Sequence, residues 1–192
     1  MDFLYKKHPK GTYEYADHKK IMDIIVMIIM FALAGGLYVI GLISTGSNKN
    51  LLTIVAVLGL LPASKMVVSV IMSLRVRKCD EQLKNKIDEH TGDLRGMYNM
   101  YFTSYDKNFL LSHLVIYGKS IVGLAAGDSF DDKAFTEHMS ELSRKEGIKD
   151  CFVKVFTDQD KYLNRLDEIN ELSDEDKSAY GALYNLVCNV TI

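Results

Sequence analysis

The chain has 192 residues, 48% of them hydrophobic, and a formal net charge of −2. The charge is split: residues 1–75 carry eight Lys or Arg against four Asp or Glu, and residues 76–192 carry fifteen against twenty-one. An acidic C-terminal part argues against non-specific nucleic-acid binding, which needs a basic surface, and three cysteines with no close pair argue against a disulfide scaffold or a Cys/His metal site.

Residues 1–20 read as a polar cytoplasmic N-terminal tail. Phe3, Leu4, Tyr5, Tyr13 and Tyr15 suit a membrane interface, where amphipathic rings settle; a loosely ordered tail is the alternative. Residues 21–75 read as a transmembrane hairpin of two α-helices. Ile24–Ile43 holds no charge, and Leu51–Leu74 is apolar apart from Lys65; each is long enough to cross a hydrocarbon core of roughly 30 Å. The STGSNKN between them is short enough to force an antiparallel turn.

Positive residues cluster outside the apolar runs, with Lys6, Lys7, Lys10, Lys19 and Lys20 before the first and Arg75, Arg77 and Lys78 after the second, while the turn has only Lys49. The positive-inside rule then places both termini in the cytoplasm of a multi-pass inner (plasma) membrane protein. The bilayer is its first partner, with anionic headgroups favoured by the basic flanks. A cleaved signal peptide ending near Ala32-Leu33-Ala34 is a rival reading. The charged leader is too long for it, and apolar sequence continues to Ile43.

Ala32, Ala34, Gly35, Gly36 and Gly41 in the first run, with Gly59, Ala63 and Ser64 in the second, permit close helix packing. That packing is within the hairpin or, alternatively, between two copies. Asp23, at the inner edge, is within reach of headgroup water or Lys20. Pro62 should kink the second helix. Lys65 is the intramembrane polar residue: either a functional charge, around which a small transport subunit would be built, or a snorkelling side chain with its head drawn toward water. Snorkelling is favoured, because no acidic partner lies deep in either run.

Residues 76–192 read as a cytoplasmic mixed α/β domain. After Arg75 the helix can run on, and Leu83 with Ile87 marks an amphipathic helix ended near Gly92. MYNMYFTS (97–104), FLLSHLVIY (109–117) and SIVGLAA (120–126) are strands, the last two joined by a Gly118-Lys119 hairpin turn. Ser129 with Asp132 resembles a capping box for a helix carrying Phe135, Met139 and Leu142 and stopped at Gly147. A strand over 150–158, a helix over 159–172 and a last helix capped from Ser173 to Asp176 complete the order helix-strand-strand-strand-helix-strand-helix-helix. Strands apolar on both faces imply a sheet covered on at least one side.

No phosphate-binding glycine loop is present. His113, alone in an apolar strand, reads first as a hydrogen-bonded core residue. With Asp128 it is also the one pair of polar groups that could serve a ligand pocket beside the hairpin strands. His90 and His138 fall on polar helix faces. Cys79, Cys151 and Cys188 read as free thiols, and neither Cys151 nor Cys188 has an obvious base nearby. Tyr98, Tyr101 and Phe102 lack the basic neighbours of a base-stacking surface and read as core.

The segment LSHLVIYGKSIVGLAAG resembles the central hairpin of the NERD (nuclease-related) domains, a branch of the PD-(D/E)xK nuclease fold. The resemblance implies a second strand opening with Asp and often His, a third strand ending Glu-x-Lys, and then helix, strand and helix. It places the family's Asp on Ser112, its His on His113, its Glu on Ala125 and its Lys on Gly127. No catalytic residue survives, and nothing at 112, 125 or 127 can hold a hard cation. The resemblance therefore implies a nuclease-like scaffold with no metal, cofactor or nuclease chemistry. The layout, opening with LYKKHPKGTYEY, is also similar to short bacterial two-span membrane proteins, some of them labelled O-linked GlcNAc transferase-like; the chain lacks the helical repeat such transferases carry. The sequence thus leads to a membrane-anchored, non-enzymatic module that binds a protein partner or itself, with a ligand sensor or enzyme using His113 and Asp128 as the alternative.

Overall fold

The computed structural model describes residues 8–105, 107–148, 150–172 and 180–192. The described residues form two compact units: a helical hairpin over 16–75, and a domain assembled from His8–Tyr15 together with Val76–Ile192. Phe3, Leu4 and Tyr5 and the cap expected at Ser173–Asp176 lie outside the described residues.

The hairpin consists of α1 (Tyr15–Thr45) and α2 (Leu51–Arg75). Gly46, at φ 64°, makes the turn, and the Asn50 carboxamide caps α2 by accepting from the Thr53 amide at 2.8 Å. Gly41 sits against this turn: a Cβ there would lie 2.8 Å from Asn50 Oδ1 and 2.9 Å from Leu52 Cβ. Ala34, Gly41, Ala56 and Ala63 are buried, and a Cβ on Gly59 would touch Ala34 at 3.7 Å. Part of the small-residue set therefore packs inside the hairpin, whereas a methyl added at Gly35 or Gly36 would meet nothing within 4 Å.

Both helices are long and apolar enough to cross a membrane. Only 11% and 17% of their most apolar windows is buried, which is the reverse of a core helix in a water-soluble protein. Asp23 does not pair with Lys20. Its Oδ2 accepts from Lys19 Nζ at 2.9 Å, Ser69 Oγ at 2.9 Å and Ser73 Oγ at 2.5 Å, so one carboxylate joins the two helices through two serine hydroxyls. α2 continues through Pro62 as one helix. Lys65 is exposed on its outer surface, so an ammonium there meets whatever solvent surrounds the hairpin. Lys65→Leu should favour membrane insertion by about 2.5–3.5 kcal/mol, measured as the inserted fraction in a translocon assay.

The domain is a four-stranded sheet between two helical layers. Its strands are β1 (Gly96–Thr103), β2 (Asn108–Tyr117), β3 (Ser120–Ala125) and β4 (Phe152–Phe156), in the order β1-β2-β3-β4. The first three form an antiparallel meander and β4 joins β3 in parallel, because α4 (Asp132–Lys145) carries the chain back across the sheet. The remaining helices are α3 (Glu81–Thr91), α5 (Gln159–Glu171) and α6 (Tyr180–Val190).

One sheet face packs Phe102, Leu111 and Leu114 against Phe135 and Met139 of α4 and Leu183 and Val187 of α6. The other packs Val115, Val122 and Leu124 against Ile87 of α3 and Tyr162, Leu166 and Ile169 of α5. The sheet is thus covered on both sides, and the two-sided apolar strands follow from that.

Three boundaries differ from expectation. α2 ends at Arg75 rather than running on, because the Cys79 amide and carbonyl are satisfied elsewhere: the amide donates to Asn99 Oδ1 at 2.7 Å and the carbonyl accepts from Tyr13 Oη at 2.9 Å. The cap of α4 is Asp131, not Ser129. Its carboxylate accepts from the Ala134 amide at 3.0 Å and from Lys107 at 2.5 Å, a stronger pairing than a hydroxyl provides. The N-terminal residues do not stand apart up to residue 20, since His8–Tyr15 group with the domain. Within that stretch Gly11 O accepts from the Tyr98 amide at 2.7 Å, and Lys10 Nζ donates to the carbonyls of Cys188, at 2.6 Å, and Thr191. Residues 9–13 form a strap along the outer edge of β1.

Candidate functional site

Three places in the domain bear on function: the strand positions matched to nuclease carboxylates, the buried imidazole beside them, and a cleft at the mouth of β1.

β2 carries one extra residue against β3: Leu111 pairs with Ala125 and His113 with Leu124, leaving Ser112 as the bulge. Ser112 is buried, Ala125 is 8% exposed and Gly127 lies exposed in the turn that follows. The carboxylate positions of the resemblance are thus adjacent across one ladder, and they present a hydroxyl and a methyl. Among the described residues no group of three His, Cys, Asp or Glu side chains is placed to hold a metal ion.

His113 is fully buried. Its Nδ1 hydrogen-bonds the hydroxyl of Tyr162 on α5 at 2.7 Å, and the Tyr98 ring lies against it at 4.4 Å between centroids. Nε2 has no hydrogen-bond partner among the described residues and is aimed at the backbone of Gly96, where a Cβ would stand 2.1 Å away. Burial lowers the imidazole pKa to about 3, against a weaker opposing pull from Asp88; the ring is neutral throughout the physiological range. Burial likewise raises the Tyr162 hydroxyl above its ordinary value. Tyr162→Phe should destabilise the domain by about 1–3 kcal/mol by stripping the imidazole of its hydrogen bond, read from denaturant midpoints of the full chain in detergent.

Tyr98, whose ring lies against this buried pair, turns its hydroxyl outward to a separate polar group. Tyr98 Oη donates to Asp88 Oδ1 at 2.5 Å, and Lys84 Nζ donates to Asp88 Oδ2 at 2.5 Å. Partial burial acts to raise the Asp88 pKa, but hydrogen bonds from Lys84 and Tyr98 outweigh it and hold the carboxyl below the usual range. Burial and then the hydrogen bond to Asp88 push the Tyr98 hydroxyl up.

Lys84, Asp88 and Tyr98 open on a cleft of about 610 Å³. It is also lined by the strap, Pro9–Tyr13, by the start of β1, Arg95–Tyr98, and by Tyr180 and Tyr184 of α6. Tyr180 and Tyr184 stack at 5.8 Å with 23° between planes, and the Arg95 guanidinium rests 5.3 Å from the Tyr180 ring. Tyr13 meets Tyr98 edge-on at 5.7 Å and carries Lys78 over its face at 4.1 Å.

Neither His113 nor Asp128 lines this cleft. His113 closes on Tyr162, Tyr98 and Gly96, while Asp128 is exposed in the turn after β3. The cleft residues escaped the sequence reading because they come from four separate stretches. The one local signal was KGTY at 10–13, whose glycine takes φ 91° and would drive a Cβ to 3.1 Å from Met97. Tyr101 and Phe102 are core. His90 is not simply solvated: Nδ1 pairs with Asp167 at 2.8 Å. Cys79 is buried, and desolvation pushes its thiol up to about 11, which makes it a poor nucleophile.

Comparison of the chain with protein-family models, with curated proteins and with solved structures finds no match.

Proposed function

We propose that this chain is a membrane-anchored, non-enzymatic interaction module. The hairpin of α1 and α2 spans the inner membrane, and the α/β domain sits on the cytoplasmic face, where it engages a protein partner or a second copy of itself. One observation carries this reading: the domain takes residues from both sides of the hairpin, His8–Tyr15 before it and Val76–Ile192 after it. Two crossings are the fewest that return the chain to the side from which it left. The apolar outer surface of both helices supports a lipid surround, and the basic residues flanking them support a cytoplasmic domain.

The element order from β1 to α5 is the one the nuclease-like resemblance implies, and that likeness extends the proposal to a scaffold that has kept the nuclease architecture. Ser112, Ala125 and Gly127 supply no metal-binding oxygen from a carboxylate, which favours binding over hydrolysis. A sensor or enzyme centred on His113 and Asp128 has less support, since the first is sealed in the core and the second stands in an exposed turn.

Two measurements test the proposal. Protease added to spheroplasts should leave the domain intact, and the same protease added to inverted membrane vesicles should remove it; digestion in spheroplasts overturns the orientation. Crosslinking in membranes should give a discrete adduct, either a dimer or one defined heteromeric band. A chain that stays monomeric and uncrosslinked in its native membrane overturns the interaction role.

A further inference from the structure

α2 carries two stripes, and α1 covers only one of them. Ala56, Ala63 and Val70 are buried within the hairpin. Lys65 follows Ala63 by two residues, about 200° around the helix axis, so it is turned away from α1, and it is exposed. Around it Ile54, Leu58, Leu61, Val68 and Met72 recur at alternating steps of four and three residues. That is the spacing of a helix–helix seam, and Lys65 fills one of its core positions. Ile54, Leu58, Leu61 and Val68 are each more than half exposed, so the seam is open among the described residues.

Lipid suits the apolar part of this seam but not its ammonium. Lys65 is ten residues short of Arg75 at the end of α2, about 15 Å of helix rise, and its stem covers only part of that distance. An ionised group at such depth is costly unless it is paired. The hairpin supplies no mate for it. α2 has no carboxylate, and those of α1 are Asp17 and Asp23. Asp17 pairs with Lys20 at 3.7 Å, and Asp23 accepts from Lys19, Ser69 and Ser73. A second copy supplies none either. Copies sharing one orientation in the membrane would bring their α2 seams together in parallel, with Lys65 against Lys65, and like charges repel strongly at low dielectric. Apolar packing by itself discriminates weakly between helices in lipid, because the tails are as apolar as the side chains. The charge is what selects.

We propose that the Ile54–Met72 seam of α2 docks a transmembrane helix of another protein, one that carries an Asp or Glu at mid-membrane depth. The apolar residues of that helix fill the seam, and its carboxylate lies on the Lys65 ammonium, which fixes the register and excludes helices without an acid. The inference rests on the membrane reading and deepens it, by giving the chemistry of the protein partner.

The full chain, labelled at its amino terminus, is reconstituted in phosphatidylcholine vesicles with synthetic single-span helices of leucine and alanine, about twenty residues long, whose central residue is Asp, Leu or Lys. Association is read by fluorescence energy transfer. The Asp helix should bind about tenfold more tightly than the Leu helix, and the Lys helix no better than the Leu helix. Lys65→Leu should bring the Asp helix down to the level of the Leu helix, Lys65→Arg should keep the preference, and Lys65→Asp should transfer it to the Lys helix. Leu61→Ala, in the seam, should weaken the Asp helix, and Leu60→Ala, exposed but outside the seam, should not. Carbonate extraction of the same vesicles reads insertion. A chain that is extracted overturns the membrane reading and the proposal with it, whereas an inserted chain with no preference for the Asp helix over the Leu helix overturns the docking alone. A preference that survives Lys65→Leu overturns the proposal too. So does energy transfer between labelled copies of the chain that is lost in Leu61→Ala, which assigns the seam to a second copy.

Discussion

Replacing Gly96 by alanine is expected to cost about 3 kcal/mol of stability, at the upper end of what overpacking a buried site does. A methyl at this position would be 2.1 Å from Nε2 of His113, and neither partner can yield easily. Gly96 is fixed in the ladder opposite Val115. The imidazole is held from behind by Tyr162 and from the side by Tyr98. The strain must move a ring through a filled core or a strand out of register. Thermal unfolding of the full chain in detergent, followed by circular dichroism, reads the loss. His113→Ala in the Gly96→Ala background should recover part of it, so that the double variant is more stable than the sum of the two single changes by about 2 kcal/mol, within the range seen for residues in contact. Strict additivity would mean that Gly96 is small for some other reason.

Acid should unfold the domain well before its carboxylates are exhausted. His113 has an unfolded value near 6.5 and a folded value of about 3. Between those limits the unfolded chain holds more protons on this residue than the folded one, so stability falls as pH falls. The contribution of the neutral ring is complete above pH 6.5 and disappears as pH drops toward 3. The slope approaches roughly 1.4 kcal/mol per pH unit, and the total is on the order of 5 kcal/mol, a large part of the stability of an ordinary domain. Denaturant midpoints taken from pH 7 to pH 4 should decline steadily, and a folded His113→Leu variant should show a flatter profile. A wild-type profile flat across that window would place the imidazole in contact with water or an acid, contrary to its sealed position.

The same histidine marks how far the sequence could be read. A lone His in FLLSHLVIY pointed to a hydrogen-bonded core group, and it is one. Its partner, Tyr162, is forty-nine residues away on a helix whose apolar stripe it shares, and no local pattern links the two. The strands were legible because their apolar runs are broken by Gly118-Lys119 and by the polar residues at 105–108. The helices were legible from spacings such as Phe135–Met139 and Leu163–Leu166. What the sequence hid was the association of distant pieces. The strap at residues 9–13 is polar, short and separated from the rest of the domain by the whole apolar hairpin, so it reads as a tail. The cap of α4 was missed because Ser129 fits the local pattern, whereas Asp131 wins through Lys107, which lies before the hairpin turn. Asp23 was given Lys20 as a neighbour by proximity in sequence, and the hydroxyls that bind it come from the other helix.

Asn99 holds the two ends of this arrangement together. It takes a left-handed backbone, φ 54°, that asparagine tolerates better than most residues. Its carboxamide accepts from the Cys79 amide and donates to Tyr13 O at 3.3 Å. The globular part of this protein is accordingly discontinuous in the chain, with the greasy portion falling between its two pieces. Excising residues 16–75 and splicing Tyr15 to Val76 through a few glycines should yield a water-soluble miniature that melts cooperatively, whereas a piece starting at Val76 lacks its seam and should precipitate or melt at a lower temperature.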